Sequence, residues 1–98
     1  MKNGMRPVHP GEVLREDYLI PLGLSANAFA KALHVPAPRI NDIVRERRGV
    51  SADTAMRLAR YFGGDALSWL SLQAAYDVRV AEIADAKRIE QEITPATA

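Results

Sequence analysis

The sequence has no cysteine, no long apolar run, only two histidines and almost no net charge. The first absence removes disulfide framing, thiolate chemistry and cysteine-ligated zinc or iron–sulfur centres together. No stretch approaches the roughly 18 apolar residues needed to span a bilayer. The N-terminus MKNGMRPVHPG lacks the apolar core of a secretory leader. The expectation is a soluble cytoplasmic protein with no membrane partner. His9 and His34 stand outside any metal-ligand spacing, and the carboxylates are scattered without a convergent acid/base pair. Ser25 and Ser51 read as helix caps rather than nucleophiles, and Gly63-Gly64 as a helix stop rather than a phosphate loop. Catalysis, a metal, a cofactor and a small-molecule substrate are therefore not expected. Strand signals are missing too, because β-branched residues are isolated and never alternate over roughly four positions.

What remains is a short helical chain. Ninety-eight residues with 48% hydrophobic content make one domain with a single core, too apolar for a disordered chain. The net charge of +1 hides an asymmetry. Residues 31–60 carry seven basic side chains against three acidic, and residues 61–98 three against six. A basic middle and an acidic end suggest two surfaces with different partners, although solvated faces would look the same by charge alone.

The pattern predicts an opening helix at His9-Pro10-Gly11-Glu12, with Pro10 at its first position and Glu12 near the unpaired N–H groups. It should run to about Leu19, bury Leu14 and Tyr18, and end at Pro21 and Gly23. Leu24 packs as a staple before the Ser25 cap of a second helix, which presents Phe29, Ala30 and Leu33 on one face. His34-Val35-Pro36 breaks it. A third helix begins near Ala37 with Pro38 in its first turn, turns Ile40 and Ile43 inward, and leaves Arg39, Asn41 and Asp42 outward. Two short helices across such a turn form the helix-turn-helix unit, whose second helix enters the DNA major groove. Val50 returns to the core and Ser51 caps a helix to about Phe62, with Arg57 and Arg60 facing out. Asp65 caps the next. Its apolar arc from Leu67 to Val80 is too broad for one packed side, which places Trp69, Leu72, Gln73 and Tyr76 as candidates for a subunit contact. Residues 81–93 favour helix by propensity, as a continuation, a docked helix or a segment ordered by a partner.

These stretches resemble the HigA-type antitoxins, compact helix-turn-helix proteins of bacterial toxin–antitoxin modules within the Cro/phage-repressor-like superfamily. The likeness lies in RPVHPGEVLREDYLIPLGLS (6–25), ADTAMRLARYFG (52–63) and WLSLQAAYDV (69–78), and with the unit between them it covers about residues 6–80. The resemblance implies an all-α fold: a five-helix Cro/phage-repressor-like helix-turn-helix bundle with an additional C-terminal helical segment. The expected organisation is a flexible lead-in at 1–8, a DNA-binding domain at 9–80, and a variable helical extension with a mobile tail at 81–98. The implied function is that of an antitoxin that binds double-stranded operator DNA as a homodimer, represses its own gene, and silences a RelE-like ribonuclease toxin. A free-standing helix-turn-helix regulator is the alternative. Against generic units, the turn carries His34 where glycine is common, which raises a question of local strain.

Carried onto this chain, the outward positions of the recognition helix are Ala37, Pro38, Arg39, Asn41, Asp42 and Arg45. Ala37 and Pro38 offer apolar contact to a thymine methyl, and Asp42 accepts only from cytosine N4. Arg39 suits guanine and Asn41 suits adenine. The alternative for Arg39 is an ion pair with Asp42 or Glu46. Arg45, Arg47 and Arg48 crowd the following loop, where guanidinium forks suit phosphate oxygens. Ser51 and the helix start beside it, with Ser25 and Asn27, are placed for flanking backbone contacts. A twofold dimer would read half-sites about 34–36 Å apart. The acidic side chains Glu82, Asp85, Glu90 and Glu92 are candidates for a basic toxin surface.

Overall fold

A computed structural model describes residues 6–97, and they form five helices with no strand among the described residues. Helix α1 is built of an α-helical turn at Pro10–Val13, a π-helical stretch at Leu14–Leu19 and a last turn at Ile20–Leu22. Then come α2 (Ala26–Leu33), α3 (Ala37–Val44), α4 (Ala52–Phe62) and α5 (Ala66–Glu92). Ser25, Ser51 and Asp65 cap α2, α4 and α5 by accepting from the backbone N–H groups of Ala28, Thr54 and Ser68.

Helix α1 does not stop at Leu19 as the sequence suggested. A proline ring inside an α-helix collides with the carbonyl four residues back. The wider π-helical turn ahead of Pro21 opens that spacing, so the helix absorbs the proline and ends at Gly23. Gly23, His34 and Glu46 all adopt left-handed φ values of 66°, 59° and 63°. Each closes its helix with the paired bonds of a Schellman turn: Gly23 N–H to Ile20 and Leu24 N–H to Leu19, His34 to Lys31 and Val35 to Ala30, Glu46 to Ile43 and Arg47 to Asp42. The strain question at His34 is thereby answered: His34 takes the position that glycine usually fills, and two backbone bonds hold it there.

Leu14, Phe29, Ile40, Ile43, Ala55 and Leu58 are completely buried, with Val50 and Trp69 beside them. Tyr18, Phe62, Phe29, Tyr61 and Trp69 form a continuous aromatic chain with neighbouring centroids 4.4–5.5 Å apart. Tyr18 is only half-buried, and in α1 it is its neighbour Leu19 that is buried instead. Of the flexible lead-in expected at 1–8, residues 1–5 lie outside the described residues. In the described part, the Arg6 guanidinium meets the Glu12 carboxylate through both oxygens at 2.9 and 2.7 Å. Helix α5 passes residue 80 without a break, so the 81–93 segment is its continuation. Its 27 residues extend about 40 Å, while the molecule measures 53 × 21 × 20 Å. The far end therefore projects from the body, and residues 87–97 are exposed throughout. No helix among the described residues is long and apolar enough to cross a membrane.

His9 caps α1 in an uncommon way. Its ring is buried, and Nδ1 accepts the Gly11 N–H at 2.8 Å while the ring packs T-shaped with Tyr76, centroids 4.8 Å apart. Accepting through Nδ1 requires the neutral ring. Burial lowers the His9 pKa below its ordinary value, against the opposing pull of the Glu46 and Asp77 carboxylates. A folded pKa below the unfolded one gives stability that is complete above the unfolded value of about 6.5 and is lost as the pH falls from there through the lower folded value. The arginine-paired carboxylates of Glu12 and Asp53 are held below the usual carboxylate range and titrate at lower pH. Denaturant titrations between pH 7.5 and 5 are expected to show a loss of about 1 kcal/mol, the worth of a helix N-cap. His9→Asn, a cap that does not titrate, should flatten that dependence; an equally steep profile in the variant would locate the proton elsewhere.

Candidate nucleic-acid interface

Helices α2 and α3 cross over the turn at His34–Pro36 and bury Phe29, Ala30, Leu33, Ile40 and Ile43 between themselves and the body. That packing turns the other face of α3 outward. Pro38 is exposed, and Ala37, Asn41 and Asp42 are half-exposed around it. Asn41 Nδ2 donates to Asn27 Oδ1 at 2.8 Å and to the Ala37 carbonyl at 3.0 Å. Asn41 thus ties α3 to the start of α2, and its own amide oxygen accepts no hydrogen bond among the described residues. Ser25 and Ser51 stand exposed at the starts of α2 and α4. Their hydroxyl oxygens are occupied as caps, at 3.0 Å to Ala28 N and 3.3 Å to Thr54 N.

Arg39 pairs with neither Asp42 nor Glu46. Its Nη1 lies 2.6 Å from Oδ2 of Asp53 on α4, a partner fourteen residues away that the sequence reading did not name. Asp42 instead faces Arg47 at 3.4 Å. Arg45 and Arg48 are exposed and form no ion pair among the described residues, and the Arg47 side chain is 60% exposed. The arginine loop thus presents three guanidinium groups with at most one weak internal contact.

What holds this loop was not visible in the local sequence. At its start, the Arg15 guanidinium donates through Nη1 to the Val44 carbonyl at the C-terminus of α3 and reaches Glu46 at 3.6 Å. At its end, Gln73 Oε1 accepts the Val50 N–H at 2.8 Å, and Gln73 Nε2 donates to Asp77 at 2.9 Å. Arg57, expected to face outward, donates through Nη1 to the Leu33 carbonyl at 2.9 Å. Each helix of the unit therefore ends on a guanidinium from a neighbouring helix, a cation at the negative pole of the helix dipole. Apart from Arg39, the arginines around this surface divide into two classes. Arg15 and Arg57 hold the scaffold, while Arg45, Arg47 and Arg48 are presented to solvent.

The four residues suggested for a subunit contact differ in exposure. Trp69 is 6% exposed and packs on Tyr18, Gln73 holds the loop, and Tyr76 covers His9. Leu72 is the exposed one of the four. No group of three or more potential metal ligands occurs among the described residues.

Comparison with known proteins agrees with this architecture. The helix-turn-helix family model matches residues 14–69, more than half the chain. Virulence-associated protein I of Dichelobacter nodosus is 68% identical over 81 residues, 83% of this chain and 75% of that protein. The antitoxin HigA of Pseudomonas aeruginosa, solved with the higBA promoter, is 52% identical, superposes with a TM-score of 0.90, and covers 93% of this chain and 99% of its own. The antitoxin GraA in complex with its operator is 47% identical, with a TM-score of 0.92 over 100% of this chain and 99% of its own. The chain belongs to the HigA-type antitoxins, a family of helix-turn-helix proteins without enzymatic activity.

Proposed function

We propose that this chain is the antitoxin of a type II toxin–antitoxin module, which represses its own operon by binding operator DNA as a homodimer and neutralises a RelE-like mRNA-cleaving toxin by direct binding. The observation that carries the DNA half is the solvent-facing helix α3 followed by an arginine loop clamped at both ends, by Arg15 and by Gln73. A loop held in place loses little freedom on binding, so its guanidinium groups contribute more of their attraction to the complex. Asn41 reads adenine through its free amide oxygen and a re-aimed Nδ2, Arg39 reads guanine, and Ala37 and Pro38 approach a thymine methyl. Arg45, Arg47 and Arg48 take phosphates. Ser25, Asn27 and Ser51 line the flanking backbone, where helix starts favour anions. Asp42 restricts its step to a cytosine amino group. The structures of HigA with the higBA promoter and of GraA with its operator, which share this fold over nearly all of the chain, support the reading.

So few base readers in each subunit call for two half-sites, hence a dimer. We place its contact on the exposed side of α5 around Leu72 rather than at Trp69, which the core occupies. Leu72→Glu should sediment as a monomer at micromolar concentration while the wild type sediments as a dimer; an unchanged dimer would move the contact elsewhere. For the toxin, the projecting half of α5 offers exposed Ile83 and Ile89 beside Glu82, Asp85, Glu90 and Glu92. Co-expression with the adjacent gene, followed by purification through a tag on this chain, tests the toxin half. A stable complex that leaves the neighbour inactive on messenger RNA supports the antitoxin, and recovery of this chain alone favours a free-standing regulator.

A further inference from the structure

Asp53 belongs neither to the buried core nor to the arginine loop, yet it ties the recognition helix to the scaffold. Its side chain is 55% exposed at the second position of α4. One oxygen, Oδ2, receives Arg39 Nη1 at 2.6 Å and Arg57 Nε at 2.9 Å. Arg57 is itself anchored on the Leu33 carbonyl at 2.9 Å. A continuous relay therefore runs from the C-terminus of α2 through Arg57 and Asp53 to Arg39 on α3. Hydrogen bonds from Arg57 and then Arg39 lower the pKa of the Asp53 carboxyl, which favours the charged form that the relay needs.

A free surface arginine carries about 2 kcal/mol of rotamer entropy, much of which is lost when it binds a base. Arg39 has surrendered part of that freedom before any DNA arrives. Asp53 occupies one N–H on Nη1, and the Nε–Nη2 edge of Arg39 is unpaired among the described residues. That edge carries two parallel N–H groups at the spacing of guanine O6 and N7. We propose that Asp53 is a positioning residue for sequence recognition: it aims the Arg39 guanidinium at a guanine of the operator without touching the DNA itself. This rests on α3 being the groove-entering helix.

A bare carboxylate near a duplex does the opposite of a positioning residue. It repels phosphate, so deleting it would strengthen binding to every sequence alike. The two roles separate when specificity is measured apart from affinity. The probes are a duplex taken from directly upstream of this gene and a scrambled duplex of equal composition, titrated with the full chain over a salt series. Asp53→Asn is expected to reduce the operator-to-scrambled ratio by about tenfold, within the range of one bidentate base contact, while scrambled-duplex affinity holds or rises. Asp53→Glu should recover part of the ratio, and thermal melting of each variant checks that the fold persists. In the cycle with Arg39→Ala, the double variant should match Arg39→Ala alone, because a positioning residue has nothing left to position. An unchanged ratio in Asp53→Asn, or additive losses in the double variant, overturns the inference and leaves the DNA-binding reading standing. A wild-type chain with no preference for the upstream duplex overturns both.

Discussion

Gly11→Ala is expected to cost about 3 kcal/mol or more and to lower the melting temperature by roughly 15–20 °C. A methyl group built on Gly11 would lie 1.8 Å from the Ile43 carbonyl oxygen, 2.7 Å from its carbon and 3.0 Å from His9 Nδ1. The nearest acceptable approach of carbon to oxygen is about 3.3 Å, so the two helices would have to separate by about 1.5 Å. Neither side yields easily. The obstacle is backbone, and α3 is fixed there by completely buried Ile40 and Ile43 and by Arg15 on its last carbonyl. Moving α1 away would also withdraw Leu14, which is completely buried, and open space that a close-packed interior cannot refill. Domains of this size have a total stability near the low end of about 5–15 kcal/mol, so the variant should be partly unfolded at 37 °C. Gly23→Ala is the control. Nothing lies within 4 Å of its added methyl, but its φ of +66° disfavours any side chain, at about 1 kcal/mol. Thermal melting of both variants decides the point: if Gly11→Ala melts no lower than Gly23→Ala, close helix approach is not what Gly11 provides.

Gly11 also marks where sequence reading stops. The HPGE stretch is legible as a helix opening because a cap and a first-turn proline act over two or three residues. The caps Ser25, Ser51 and Asp65, the inward pair Ile40 and Ile43, and the return of Val50 to the core are legible for the same reason. That Gly11 must also admit the backbone of a helix more than thirty residues downstream leaves no local trace. The same holds for Arg15 on Val44, Arg57 on Leu33 and Gln73 on Val50, separated by 29, 24 and 23 residues. Long polar side chains look solvated when only their neighbours in sequence are considered. Arg57 therefore reads as outward-facing in the sequence, although its i, i+4 spacing to Asp53 is a legible sign of a partner. For α5, the apolar arc was visible but not its division: Trp69 joins the core, while Leu67, Val78, Val80 and Ile83 remain exposed.

The larger effect on DNA should come from the loop. Replacing Arg45, Arg47 and Arg48 together with alanine is expected to lower operator affinity by about two to four orders of magnitude near physiological salt, and to flatten the salt dependence by up to about five units of slope for a dimer. The slope follows from six guanidinium groups per dimer, each releasing roughly 0.9 of a counterion from duplex DNA when it meets a phosphate. Stability should change by no more than about 0.5 kcal/mol per residue. Arg45 and Arg48 pair with nothing among the described residues, and Arg47 touches Asp42 only at 3.4 Å. The loop backbone should stay in place, since its bonds run from Arg15 to Val44 and from Val50 to Gln73 rather than through these side chains. Because phosphate contacts fix register without reading bases, the preference for operator over scrambled duplex should survive. That pattern is the inverse of the one expected for Asp53→Asn, in which preference falls and general affinity does not. Binding titrations across salt on both duplexes check it. Unchanged slopes in the triple variant would mean that the loop faces away from the backbone, and a collapse of preference with preserved slope would mean that these arginines read bases.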